Sequence, residues 1–292
     1  MYRIDDPTAA NSLPTPESAG TEGYFTEGNP TSGTPATNVR GSWLNMIQEE
    51  LRAVVVAGGL TPSKTIYTQV RDAIKAMVGS GRLLRVTVFS TPGTSTFTPG
   101  VGTNAVRVRV QAAGGGGGGA PATTSGQVSI GAGGGAGSYG EGYFTSGFSG
   151  VTVTVGAKGT GGTGAAGSNG GASSFGALVS TNGGAGGAIG GPSAPPFSSI
   201  STSGASPGSG GYLNVAGGPA GTAFAISTSG FNGSQGGNST LSGGAGAVAN
   251  GSAGSTAAGF GGGGGGTGTS GVSSSLKGGD GAQGIVIVEE FA

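Results

Sequence analysis

Gln111-Ala112-Ala113-Gly114-Gly115-Gly116-Gly117-Gly118-Gly119-Ala120 is the stretch on which the fold turns. A run of six glycines has four physical readings. It can be a flexible linker, a phosphate-cradling loop, a silk-like stacked sheet, or a set of extended left-handed threefold helices of the polyproline-II type packed side by side. In the last case chains without side chains approach so closely that backbone N–H groups bond laterally. A second run spans Gly261 to Gly266, and most of the 72 glycines in the 292 residues lie after Gln111. Between Gln111 and Leu276 the only charged side chains are Glu141 and Lys158.

The composition of 72 Gly and 14 Pro lies where low-complexity disorder is the default. Disordered segments, however, are usually rich in charge and poor in large apolar residues, whereas this region is nearly uncharged and carries Phe and Tyr throughout. No Gly-Lys-Ser/Thr tripeptide occurs, so a Walker loop is absent, and G-x-G-x-x-G matches arise by chance at this glycine density. A linker does not suit so long a stretch studded with aromatics. The expectation is a head of polyglycine-II-type helices, with twisted antiparallel sheet joined by glycine loops, or disorder, as the alternatives. Glycine loses more backbone entropy on folding than any other residue, so such a head needs dense backbone hydrogen bonding, oligomerisation or both.

Strand signals bracket the glycine tracts. Val106, Val108 and Val110 alternate with Arg107 and Arg109, and Val151, Val153 and Val155 alternate with Thr152 and Thr154. Ile285 to Phe291 is apolar on both faces, which predicts a deeply buried strand. Leu83 to Phe89 alternates as well, Ser95 to Thr98 continues it after a Thr91-Pro92-Gly93 turn, and Gln127 to Ile130 and Ser174 to Val179 are weaker candidates. Pairing of Val106–Val110 with Ile285–Phe291 is expected to close the head, with Glu289 and Glu290 as exposed partners of Arg107 and Arg109.

The first 82 residues are of another kind. Pro7, Pro14, Pro16, Pro30 and Pro35 keep residues 1–41 from forming a continuous helix, so this arm is expected to order by lying on a partner. Ser42 reads as the N-cap of a helix carrying Trp43, Leu44, Ile47, Leu51, Val54 and Val55, ended by Gly58-Gly59. A second helix is expected from about Ser63 to Val78, with Ile66, Val70, Ile74 and Met77 on one stripe. Two short helices make a small core, which favours packing about a symmetry axis over a simple hairpin. The expected organisation is arm 1–41, helical connector 42–82, β linker 83–104 and glycine-rich head 105–292.

Several functions are disfavoured on chemistry. There is no His and no Cys, which removes Ser-His-Asp and Cys-His machinery, disulfides and most zinc sites, and no cofactor is expected. Twelve basic residues balance twelve acidic ones, leaving no electrostatic footprint for nucleic acid. The apolar run Ala53 to Ala57 is far too short to span a bilayer, so no membrane insertion is expected. A paired-carboxylate glycosidase stays open as an alternative, and the sequons at Asn232, Asn238 and Asn250 are chance matches in a Ser-rich tract.

Tyr2-Arg3-Ile4-Asp5-Asp6, Gly23-Tyr24-Phe25-Thr26-Glu27-Gly28-Asn29-Pro30, Gly33 to Thr37, Trp43 to Leu51 and the Lys64 to Met77 helix together resemble the virion-attachment segment of tail fibres from tailed bacteriophages and prophages. The stretch from Thr96 to Gly119 and the closing Gly278 to Phe291 are similar to glycine-rich domains at fibre tips, a less specific likeness. The resemblance implies a homotrimeric receptor-binding fibre in the virion. Residues of the N-terminal arm, among them Tyr2, Arg3, Ile4, Asp5, Tyr24 and Phe25, would grip a baseplate or tail-tip protein. Trp43, Ile47, Leu51, Ile66, Val70 and Ile74 are the expected trimer contacts. A bacterial surface glycan or an outer-membrane or pilus protein would be the receptor. With so little charge in the head, recognition is expected from aromatics near glycine or proline: Tyr139, Tyr143, Phe144, Phe148, Phe197, Tyr212, Phe231 and Phe260, with Pro192 to Tyr212 as the tip loop. A tailspike-like glycan-degrading enzyme and a structural connector without a receptor site are the alternatives.

Overall fold

The computed structural model describes residues 1–79, 81–199, 201–248 and 250–292. The chain forms two compact units, Met1–Arg82 and Leu83–Ala292. In the first, α1 (Gly41–Ala57) and α2 (Gln69–Gly79) meet where Val55 and Ala73 are fully buried and a Cβ on Gly58 would overlap Ala73. The helix boundaries differ from expectation at both starts. Arg40 occupies the cap position of α1 without a side-chain cap, and Ser42 Oγ instead donates to Glu17 at 2.9 Å. Residues 63–68 are not helical because the buried Gln69 side chain holds the preceding turn. Its Oε1 accepts from the Ser63 N–H and its Nε2 donates to the Thr61 carbonyl.

The second unit is mainly β and glycine-rich. Among the described residues its strands are β1 (Leu83–Phe89), β2 (Gly93–Thr96), β3 (Ala105–Gln111), β4 (Val128–Gly131), β5 (Tyr139–Phe144), β6 (Thr152–Val155), β7 (Ser173–Phe175) and β8 (Val179–Thr181). They continue with β9 (Ile189–Ser193), β10 (Phe197–Ser198), β11 (Ser209–Gly210), β12 (Leu213–Val215), β13 (Phe224–Ala225), β14 (Phe231–Asn232), β15 (Gly268–Ser270) and β16 (Ile285–Phe291). Two five-stranded sheets, β1-β16-β3-β5-β12 and β11-β8-β7-β6-β2, face each other over a core of Val106, Val108, Val110, Phe97, Phe175 and Val288. Two three-stranded sheets, β15-β4-β9 and β10-β13-β14, pack over a smaller core of Val128, Ile130, Ala223, Ala225 and Phe231.

The glycine tracts run between these two β caps. Strand β3 passes into 112–120, the chain reverses, β4 leads back through 132–138, and β5 follows. Tract 112–120 shows how they pack. Gly114, Gly117 and Ala120 donate their N–H groups to Ala282, Gly279 and Leu276; Gly115 and Gly118 donate to Gly135 and Ala132; Gly116 and Gly119 donate to Ser168 and Ala165. Donors repeat every third residue toward three antiparallel neighbours, at 2.7–3.1 Å. Carbonyls of the same tract accept from Gly159 and Gly162, from Gly184 and Gly187, and from Gly264, on three parallel neighbours. Six neighbours with a threefold repeat is the lateral bonding of packed left-handed threefold helices, and none of Gly114–Gly119 takes a positive φ. Tract 131–138 repeats the pattern, Gly131, Gly134 and Gly137 donating to Thr267, Gly264 and Gly261.

The strand pairing that closes the head is present: β16 lies antiparallel between β1 and β3, with Glu289 opposite Arg107. The alternation of a strand puts Glu290 on the opposite face from Glu289. It is fully buried and pairs with Arg85, not with Arg107 or Arg109. Residues 83–104 are not a linker but part of the head, because β1 pairs with Val286–Phe291 of β16 and β2 pairs with β6. The expected strand over 174–179 is a hairpin, β7 and β8, turned at Gly176 with φ 52°.

A Cβ on Gly117 would overlap the Gly265 carbonyl, and Gly116 and Gly118 are closed off in the same way by Thr160 and Ala188. Gly117→Ala is therefore expected to lower head stability by about 3 kcal/mol or more. Gly246, with open space at its Cβ, should accept Ala within about 0.5 kcal/mol. Chemical denaturation of both variants checks this.

Candidate functional site

The head has one end where the chain enters, at β1, and an opposite end, the apex, where the tracts reverse. At the apex lie the segments 121–127, 189–198, 224–231, 250–253 and 270–275, none of which carries Asp, Glu, Lys or Arg. Their apolar side chains divide by burial. Phe231 and Ile130 are buried and Phe197 packs on them, while Phe224 is 42%, Ile226 68% and Val272 85% exposed. The surrounding loops are held by their own hydrogen bonds. Thr123 and Ser273 exchange backbone bonds at 3.0 and 3.1 Å, Gln127 Oε1 accepts from the N–H and hydroxyl of Thr124, and Ile226 donates to the Gly230 carbonyl at 2.7 Å. The peptide bonds Gly191–Pro192 and Pro195–Pro196 in this region are cis. The apex is thus a preformed surface of aliphatic, aromatic and hydroxyl groups.

The aromatic residues expected at a receptor site are scattered. Tyr139 and Phe148 are buried at the opposite end, Phe144 packs against the large core, and Phe231 lies beneath the apex. Phe260 is half-buried in the turn before the Gly261 run. Pro192 to Tyr212 is not a single loop. Pro192 and Phe197 are at the apex, but residues 201–205 return through the lattice and Tyr212 adjoins β12 in the large sheet. The physical reason is the Gly204 contact, where a Cβ would overlap the Gly217 carbonyl: this stretch packs as a tract, not as a loop. Phe224, Ile226 and Val272 were missed. Their one sequence signal is a large apolar residue set among Ser, Thr, Ala and Gly beyond a strand end.

A second cluster sits on the outer face of the large sheet, at Glu141. Arg107 donates through Nε at 2.6 Å and Nη2 at 2.5 Å to Glu141 Oε1, Tyr139 donates its hydroxyl to Oε2 at 3.0 Å, and the Tyr212 hydroxyl also donates to Oε1. Arg109 Nη2 lies 2.5 Å from Glu289. Burial pushes the Glu141 carboxyl up, but the bonds from Tyr212, Arg107 and Tyr139 outweigh it and hold it below the ordinary range. Burial, then the Glu141 bond, pushes the Tyr139 phenol up to about 12. Elsewhere Glu290 accepts from Arg85, the Gly100 N–H and Thr103, and Asp280 ties Lys158 and Lys277 to the Gly161 N–H. Both carboxyls are held low by these bonds against the upward push of burial. Among the described residues no group of three or more Asp or Glu is placed to hold a metal ion, and no helix is long and apolar enough to cross a membrane.

In the first unit, Arg3 pairs bidentately with Glu49 at 2.6 and 2.7 Å, Asp5 pairs with Lys64 at 2.9 and 2.7 Å, and the Ile4 N–H donates to Gln48. The start of the arm therefore lies on the chain's own helices, with Tyr2 and Ile4 exposed. Tyr24 is exposed and Phe25 meets the Trp43 ring edge-on at 5.0 Å. Trp43, Ile66 and Ile74 are exposed, while Ile47, Leu51 and Val70 are half-buried.

The glycine-rich domain family matches residues 90–290, more than two thirds of the sequence, and the chain belongs to that family. It is also similar to the uncharacterized protein StfP of Escherichia coli (strain K12), 41% identical over 78 residues. That match covers 27% of this chain and 35% of StfP, about a third of the relative's length.

Glu141, Glu290 and Asp280 all have lowered folded-state pKa values. Each therefore contributes stability that is fully present above the unfolded carboxyl pKa near 4 and is lost as pH falls through the folded value. The head should unfold at a lower temperature at pH 3 than at pH 7, and Glu290→Gln should reduce that difference. Calorimetry across this range checks both.

Proposed function

We propose that this protein is a bacteriophage tail fibre that attaches to the tail tip or baseplate through its first unit and binds a host surface receptor through the head. The observation that carries the reading is the apex: a charge-free surface of ordered loops exposing Phe224, Ile226 and Val272 at the end remote from Leu83. Exposed apolar groups ringed by hydroxyls suit a protein ridge or a sugar face. The N-terminal likeness to attachment segments supports the virion end, and the name StfP is compatible with a side tail fibre. The fibre is non-enzymatic, since Glu141, Asp280 and Glu290 are each committed to a cation and to further hydrogen-bond donors. It is a homotrimer joined in part through the apolar stripes of α1 and α2, where Trp43, Ile66 and Ile74 are exposed.

Replacing Ile226 and Val272 with Asp should lower the adsorption rate of virions carrying the protein by about tenfold or more without moving the unfolding temperature. Unchanged adsorption rejects the apex, and degradation of capsule or O-antigen by the purified chain supports the glycan-degrading alternative. Native mass spectrometry should give a trimer, and Ile47→Asp with Leu51→Asp should dissociate it, because burying each such side chain contributes roughly 1.5–3 kcal/mol.

A further inference from the structure

From the outer face of the large sheet we infer a second binding site, for a neutral saccharide, at the end of the head opposite the apex. Its aromatic platform is Tyr143 and Tyr212. These rings are 51% and 62% exposed, in a head where Tyr139, Phe97, Phe148 and Phe175 are buried. Both are presented rigidly. The Tyr212 hydroxyl is fixed on Glu141 and its backbone N–H donates to the Glu141 carbonyl at 2.9 Å. Tyr143 lies on β5 directly across from Arg107 and its ring leans on Phe291, centroids 6.2 Å apart. Tyr143 lies across from Arg107, the Tyr212 hydroxyl sits on Glu141, and Tyr143 and Glu141 are two residues apart on one strand face, about 7 Å, so both rings adjoin the Arg107–Glu141 pair.

The polar centre defines the ligand. Arg107 is 43% exposed and is held by Glu141 on one side, with Glu289 at 3.7 Å on the other. Arg109 is neutralised by Glu289. Two cations and two carboxylates leave no net charge, so neither an acid nor a base is favoured. A pyranose fits this chemistry: its hydroxyls accept from the exposed part of the Arg107 guanidinium, which the largely covered Glu141 and Glu289 carboxylates hold in place, and its C–H face stacks on aromatic rings. Because the groups are preset by pairing with one another, little ordering is required on binding. The site does not depend on the apex and stands or falls separately from the receptor reading.

The test uses the full chain and linear tetrasaccharides of glucose, mannose and galactose, with sialyllactose as the acidic comparison, followed by saturation-transfer NMR and titration. At least one neutral tetrasaccharide should bind, with transfer to its ring protons, and sialyllactose should bind no more tightly. Tyr143→Ala should weaken binding about tenfold or more with only a small fall in unfolding temperature, from the lost ring contact with Phe291. Tyr212→Ala should weaken it as much, and Ile226→Asp at the apex should leave it unchanged. Failure of every neutral sugar to bind, tighter binding of sialyllactose than of every neutral sugar, or full binding by Tyr143→Ala overturns the site. A change in native mass on Tyr143→Ala overturns it too, by showing the face to be a subunit contact.

Discussion

The structure depends on one interaction, the lateral hydrogen bond from a tract N–H to a carbonyl of a neighbouring tract. Each bond is worth only about 0.5–1.5 kcal/mol net, yet every amide of 112–120 makes one, and the direction rotates by a third of a turn per residue. A left-handed threefold chain has no internal hydrogen bonds, so no single tract is stable alone. The tracts stand only as a set, and the set requires contact distances that a Cβ would close off. Glycine is therefore the structural material here, and its large entropy cost on folding is offset by shared lateral bonding.

A lattice of this kind buries little side-chain surface, and the chain places its conventional cores at the two ends. The large sandwich holds Val106, Val108, Val110, Phe97 and Phe175, and the small one holds Val128, Ile130 and Phe231. These caps set the register of the tracts that continue directly from a strand, among them 112–120, 132–138 and 278–284. Large side chains gather mainly on the surfaces at the two caps, with the Lys158–Asp280–Lys277 cluster on the flank of the tracts.

The few charges follow the same logic. Glu290 gathers Arg85, Gly100 and Thr103 at the edge of the large sheet, Glu141 gathers two tyrosines and an arginine on its outer face, and Asp280 joins two tracts through Lys158, Lys277 and the Gly161 amide. Each carboxylate accepts several donors, the condition under which a buried charge is tolerable. Glu141 and Lys158, the two isolated charges of the glycine-rich region in sequence, turn out to be members of these clusters.

Much of the architecture was legible in the residues. The glycine runs specify close-packed threefold chains because nothing larger than hydrogen fits between them. The alternation in Val106–Val110 and Ile285–Phe291 specifies strands, and their placement at either end of the tracts implied the closure that β3 and β16 make. What only the tertiary structure decided is the side on which each aromatic and acidic residue falls. Tyr139 and Tyr143 share a strand face, yet one is buried beside Glu141 and the other is exposed. Phe197 and Tyr212 are fifteen residues apart in sequence and at opposite ends of the head, because the stretch between them is a lattice tract. The reason is physical: glycine tracts carry no side-chain period that marks their direction or length, so where each one runs is set by its lateral neighbours from elsewhere in the chain.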